Sequence, residues 1–137
     1  MSAGRVVATY LGMTVVFFTI DILWLGVVAK GFYQRHLGEL LAERVNWGAA
    51  VVFYLVYLGG ILLFVVLPAL EKGSLGRAAL LGFVFGVVAY ATYDLTNLAT
   101  LRGFPVVVAT VDLAWGGVLT TAVAIAGFAL ARRLGQG

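Results

Sequence analysis

Apolar residues run almost unbroken through four stretches, residues 6–28, 47–67, 78–101 and 105–130, with short polar segments between them. Each is at least as long as the roughly 20 residues an α-helix needs to cross about 30 Å of hydrocarbon. The pattern predicts an all-α, polytopic membrane four-helix bundle forming a single transmembrane domain over residues 1–137. The first stretch does not read as a cleavable signal peptide. It is about twice as long as a 7–15-residue signal core, contains Asp21 and lacks a small-residue cleavage site.

The connector Gly31–Asn46 has its own pattern. Phe32, Leu37, Leu40, Leu41 and Val45 recur near helical spacing, and Arg35, Glu39 and Glu43 follow at four-residue steps. This predicts an interfacial helix lying on the bilayer. Pro105 stands where a first-turn proline would start span four, and Pro68 marks the end of span two. Arg5, Lys72, Arg77, Arg132 and Arg133 fall on one side, against Lys30, Arg35, Arg44 and Arg102 on the other. That balance favours both termini in the cytoplasm.

Composition agrees with the pattern. Of 137 residues, 63% are hydrophobic and 11% charged, against roughly 25% charged in soluble domains, and the mean hydropathy is +1.07. The basic balance, with a pI near 9.5, comes from nine Lys/Arg at or near span ends. It suits lipid headgroups and argues against a nucleic-acid partner. The absence of cysteine excludes disulfides, thiolate metal sites and thiol nucleophiles, and a single histidine leaves no Ser-His or Cys-His system. No nucleotide, haem or flavin motif is present, so no cofactor is assigned.

The candidate chemistry lies in three aspartates, the only ones in the chain, each inside an apolar stretch. They read Thr19-Ile20-Asp21, Thr92-Tyr93-Asp94 and Thr110-Val111-Asp112. A carboxylate in hydrocarbon costs roughly 2.5–3.5 kcal/mol even on lenient insertion scales, so three mark a candidate site. Asp21 lies seven residues before Val28, Asp94 seven before Leu101, and Asp112 seven after Pro105. At about 1.5 Å per residue in alternating spans, all three fall in one layer, roughly 10 Å below the end bearing the first and third loops. Tyr54, seven residues after Trp47, joins that layer.

The neighbouring residues extend the candidate pocket. Tyr90, Tyr93, Asp94, Asn97 and Thr100 share one face of span three, with Gly82 and Gly86 continuing the stripe. The glycines would admit close helix contact and the polar half would line a pocket, which makes span three the expected central helix. On spans one and four a tryptophan follows the aspartate at i+3, giving Asp21 with Trp24 and Asp112 with Trp115. The longer match, Thr19–Val27 with Thr110–Val118, runs in opposite directions across the membrane, as inverted repeats of transporters do. Tyr33 and Tyr57 are assigned to interfacial or packing roles and His36 to the surface.

No Lys, Arg or His lies in the apolar stretches near these acids. Lys30 and Arg102 are nine and eight residues from Asp21 and Asp94, or about 12–14 Å along the axis. Three carboxyls with no cation require at least one proton among them or a bound cation. Asp21, Asp94 and Asp112 would be the oxygen ligands if that cation were a metal.

The sequence supports three competing roles. The first is binding or translocation of protons or a small cationic or polar solute through the aspartates, with Tyr54, Tyr93, Asn97, Trp24 and Trp115 as hydrogen-bonding and aromatic walls. The second is a membrane-embedded enzyme on a lipid or isoprenoid, two carboxyls serving as general acid and base. The third is an assembly subunit without chemistry, its aspartates tying helices together. A bundle this small encloses little volume, so a homodimer fits the first role.

Tyr90-Ala-Thr-Tyr-Asp-Leu-Thr-Asn-Leu-Ala-Thr-Leu-Arg102 resembles the hallmark of a family of small bacterial membrane proteins known only as a domain of unknown function. Asp21-Ile-Leu-Trp-Leu-Gly26, Asn46-Trp47, Leu67-Pro68-Ala69-Leu70 and Val111-Asp112-Leu113-Ala114-Trp115-Gly116 resemble further parts of the same pattern. The resemblance covers nearly the whole chain. It implies four helices in the bacterial inner membrane and no established activity.

Overall fold

The computed structural model describes residues 1–136. The α-helices are α1 (Ala3–Leu23), α2 (Phe32–Leu37), α3 (Trp47–Ile61), α4 (Leu67–Glu71), α5 (Leu75–Thr100) and α6 (Val106–Gln136). A π-helical segment, Trp24–Val28, prolongs α1, and another, Leu62–Val66, joins α3 to α4. Among the described residues, four helices are thus long and apolar enough to cross a membrane: Ala3–Val28, Trp47–Glu71, Leu75–Thr100 and Val106–Gly135. Their outward faces carry Val15, Val28, Val56 and Phe64, each about two-thirds exposed or more. Apolar surface on this scale implies a lipid bilayer around the bundle.

Capping and backbone geometry set the helix ends. Ser2, Asn46 and Ser74 each accept a hydrogen bond from the amide three residues on, at 3.1–3.2 Å, satisfying an otherwise unpaired helix-start donor. Helices α1 and α5 therefore start three residues before the apolar stretches that announced them. Span two also continues past its expected end. Pro68 has no N–H to give to the turn before it, and the chain widens into the π turn at Leu62–Val66 and carries on to Glu71. Gly73, at φ 61°, then turns the chain tightly into α5.

The central helix is α6, which corrects the expectation for span three. It packs along α5 and α1 and also meets α2, α4 and the second π turn. Its Leu119, Val123 and Ala124 close a core with Met13 and Phe17 of α1 and with Leu58, Ile61 and Val65 of span two. The glycines of α5 do bring helices together, as expected. A Cβ on Gly82 would meet the Ala124 Cβ at 2.9 Å, and one on Gly86 would meet Thr120 Oγ1 at 2.6 Å. Close approach here needs residues without side chains.

The first connector is α-helical over Phe32–Leu37, a shorter stretch than its apolar pattern covers. Gly31, at φ 83°, turns the chain back after the first span, and α2 folds over the end of the bundle. Phe32, Tyr33 and Leu37 pack on Phe104, Val108 and Ala109, so their apolar area is covered by protein. A short 3₁₀ turn, Gly38–Leu40, ends the helix, and Leu40, Leu41 and Val45 stay exposed.

Candidate functional site

The three aspartates gather at the end of the bundle that α2 covers. Asp94 of α5 is fully buried, and Asp112 of α6 is 8% exposed. Asp21 of α1 is half-buried. Two indole N–H groups and one phenol organise them. Trp115 Nε1 donates to Asp21 Oδ1 in a long bond of 3.4 Å. Tyr33 Oη donates to Asp112 Oδ1 at 2.6 Å, a short bond of the kind made to a charged acceptor. Trp24 Nε1 donates in turn to Tyr33 Oη at 3.0 Å.

The Asp-x-x-Trp segments of α1 and α6 face each other. Their indoles stack in parallel, with centroids 4.3 Å apart and planes 10° from coplanar. The i+3 spacing puts each tryptophan on the same side of its helix as its aspartate, so antiparallel helices present acid and indole crosswise. Trp115 reaches Asp21 directly, whereas Trp24 reaches Asp112 through Tyr33. The two copies thus make related but unequal contacts.

Asp94 stands apart. Neither of its oxygens meets an N–H or O–H donor among the described residues. The Asp112 carboxyl of the facing helix α6 is near enough to act on it electrostatically. Two ionised carboxylates are both acceptors and cannot bond to one another. Two negative charges held near each other in a poorly solvated interior also repel. A proton or a cation between Asp94 and Asp112 removes both difficulties.

The remaining sequence candidates divide by position. Tyr54 is half-buried against Phe17 and Phe18, and its hydroxyl bonds to nothing among the described residues. Asn97 is half-buried one turn beyond Asp94. Tyr93 is 63% exposed and lies at the rim, so the polar stripe of α5 does not all face inward. Tyr90, Tyr93, Ala89 and Thr92 of α5, with Phe53 of α3 and Asp112, line a cavity of about 460 Å³. Among the described residues no three His, Cys, Asp or Glu side chains group closely enough to hold a metal ion. Asp21, Asp94 and Asp112 therefore do not form the three-carboxylate cage considered from sequence.

Tyr33 was misassigned by sequence reasoning. Its own neighbours in sequence look interfacial, and only the fold-back at Gly31 brings its hydroxyl to Asp112. Burial, and then the hydrogen bond to Asp112, push the phenol above its ordinary ionisation range, so it remains a donor. The available signal was a tyrosine between two apolar residues, Phe32 and Leu37, two positions after Gly31. Tyr57 keeps the packing role expected of it: it is buried and shares a hydrogen bond with Thr120.

Comparisons with curated proteins and with solved structures return no match. The model of the family described as "Predicted membrane protein (DUF2177)" matches residues 6–129, from the first apolar helix into the last and across all three aspartates. The chain belongs to this family of predicted membrane proteins of unknown function.

Proposed function

We propose that the protein binds, and passes across the membrane, protons or a small cationic or polar solute at the Asp94–Asp112 pair. The observation that carries this reading is the buried Asp94 carboxyl, without a donor on either oxygen and beside a second carboxyl. Buried acids in a membrane bundle mark such pathways because a bare carboxylate there is costly. With one proton the pair holds a single negative charge. A monovalent cation that takes the proton's place leaves the same net charge, so exchange avoids creating new charge in a poorly solvated site. Tyr33 fixes the Asp112 carboxyl during that exchange, and Asp21, held by Trp115, adds negative potential beside it.

In this reading the protein sits in a bacterial inner membrane with both termini in the cytoplasm, and two copies pair to enclose the pathway. The test is reconstitution in liposomes. A pH gradient should drive solute flux or proton leak, and Asp94→Asn should abolish it without loss of folding. Equal flux in the wild type and in Asp94→Asn contradicts the proposal. A second reading, an enzyme acting on a lipid or isoprenoid, uses the same pair as general acid and base. It predicts lipid turnover in detergent with no gradient.

A further inference from the structure

The cavity that reaches Asp112 does not end there. It opens on the side of the bundle, between α3 and α5, and adjoins a second cavity of about 480 Å³ along the same seam. Phe53 and Ala89 border both. The second cavity runs past Gly59, Leu63 and Phe64 on span two to Phe85 on α5, and apart from the Tyr57 hydroxyl its lining is apolar. The first has a different character. Asp112 is part of its lining, together with the aromatic residues Phe53, Tyr90 and Tyr93.

We infer that this seam binds an amphiphile with a cationic ammonium-type head and a hydrocarbon tail, the head at Asp112 and the tail along Gly59 and Phe64. The inference rests on the proposed role of the Asp94–Asp112 pair and names its ligand class. A carboxylate among aromatic faces suits an organic cation, because ring faces attract a diffuse positive charge. An inorganic divalent ion would need several converging oxygen ligands, and Asp112 is the one carboxylate in this lining. Each cavity is within the roughly 300–1,000 Å³ of ordinary ligand pockets, and joined they form an elongated slot. The opening lies on the lipid-facing side, where Phe53 and Val56 are exposed, so a tail can enter without leaving the apolar phase. The carboxylates select against bilayer phospholipids, whose phosphate would sit beside Asp112.

The experiment measures binding of dodecyltrimethylammonium to the full chain in phosphatidylcholine nanodiscs, with tetramethylammonium and dodecanol as the separate head and tail. The joined probe should bind at least tenfold more tightly than either part. Asp112→Asn should weaken it at least tenfold. Gly59→Leu should do the same to the long-chain probe while leaving tetramethylammonium unchanged. Gly59 borders the slot and a Cβ there meets no atom within 4 Å, so the added side chain starts from open space. Equal binding of dodecanol and dodecyltrimethylammonium to the wild type overturns the inference, and this comparison requires no mutant to fold. Unchanged long-chain affinity in Gly59→Leu also overturns it. If the amphiphile fails to bind while Asp94 still carries an exchangeable proton by infrared spectroscopy, only the ligand assignment falls. If that proton is absent as well, the underlying reading falls with it.

Discussion

Replacing Gly86 by alanine adds one methyl group at the tightest point between α5 and α6. The new Cβ would stand 2.6 Å from Thr120 Oγ1 and 2.7 Å from the Gly116 carbonyl carbon, with the carbonyl oxygen nearer still. Ordinary contact needs 3.4–4 Å. The obstacle is largely backbone, so no side-chain rotation removes it, and the helices must part by roughly 1 Å in an interior packed near crystal density. Overpacking of this kind costs about 1–3 kcal/mol. Asp94 lies two turns further along α5 and Asp112 one turn from Gly116 on α6, so the same displacement pulls the carboxyl pair apart. Gly59→Ala is the matched control. It meets nothing within 4 Å and stiffens a helix interior, for a gain of about 0.4–1 kcal/mol. Unfolding in mixed micelles, followed by circular dichroism, reads both. Gly86→Ala should unfold earlier than the wild type and Gly59→Ala later. A Gly86→Ala variant as stable as the wild type would refute the close packing on which the site depends.

Other outcomes follow from the same geometry. Tyr33→Phe removes a hydrogen bond to a carboxylate and leaves Trp24 without its acceptor, for a loss of about 1.5–3 kcal/mol in the same unfolding assay. The indoles stacked at 4.3 Å should give an excitonic couplet in near-ultraviolet circular dichroism, lost in either Trp24→Phe or Trp115→Phe while helicity is retained. Burial of the Tyr33 phenol, with its bond to Asp112, favours the neutral form in the folded protein. Its contribution should therefore be fully present below about pH 10 and decline as pH rises past that ordinary tyrosine value. Unfolding measured across that range should show a decline that Tyr33→Phe diminishes.

The four spans were legible because hydrocarbon thickness sets a length that apolar runs must reach. Rise per residue converts position into depth, which is how the sequence groups Asp21, Asp94 and Asp112, and in the structure Trp115 and Tyr33 bond to Asp21 and Asp112 at the end of the bundle that α2 covers. The Gly82–Gly86 contact could be read from the absence of side chains. The central position of α6 could not. In a membrane bundle both the buried and the lipid-facing sides are apolar, so hydrophobicity does not reveal which helix is enclosed. Tyr93 shows the same limit, sharing a polar arc with Asp94 and yet facing outward. The contribution of Tyr33 depends on the direction the chain takes after Gly31, a backbone property that residue spacing does not carry. The π turns were hidden too, since their hydrogen-bond shift appears only once Pro68 and Trp24 are placed in helices.

The central claim is that Asp94 and Asp112 are joined by an exchangeable proton or cation. Infrared difference spectroscopy of the reconstituted protein at neutral pH, in H₂O and D₂O with no added organic cation, tests it directly. The account predicts a protonated-carboxyl carbonyl band that shifts on deuteration, disappears in Asp94→Asn and is displaced when a bound cation replaces the proton. Three ionised aspartates in the cation-free protein would contradict it.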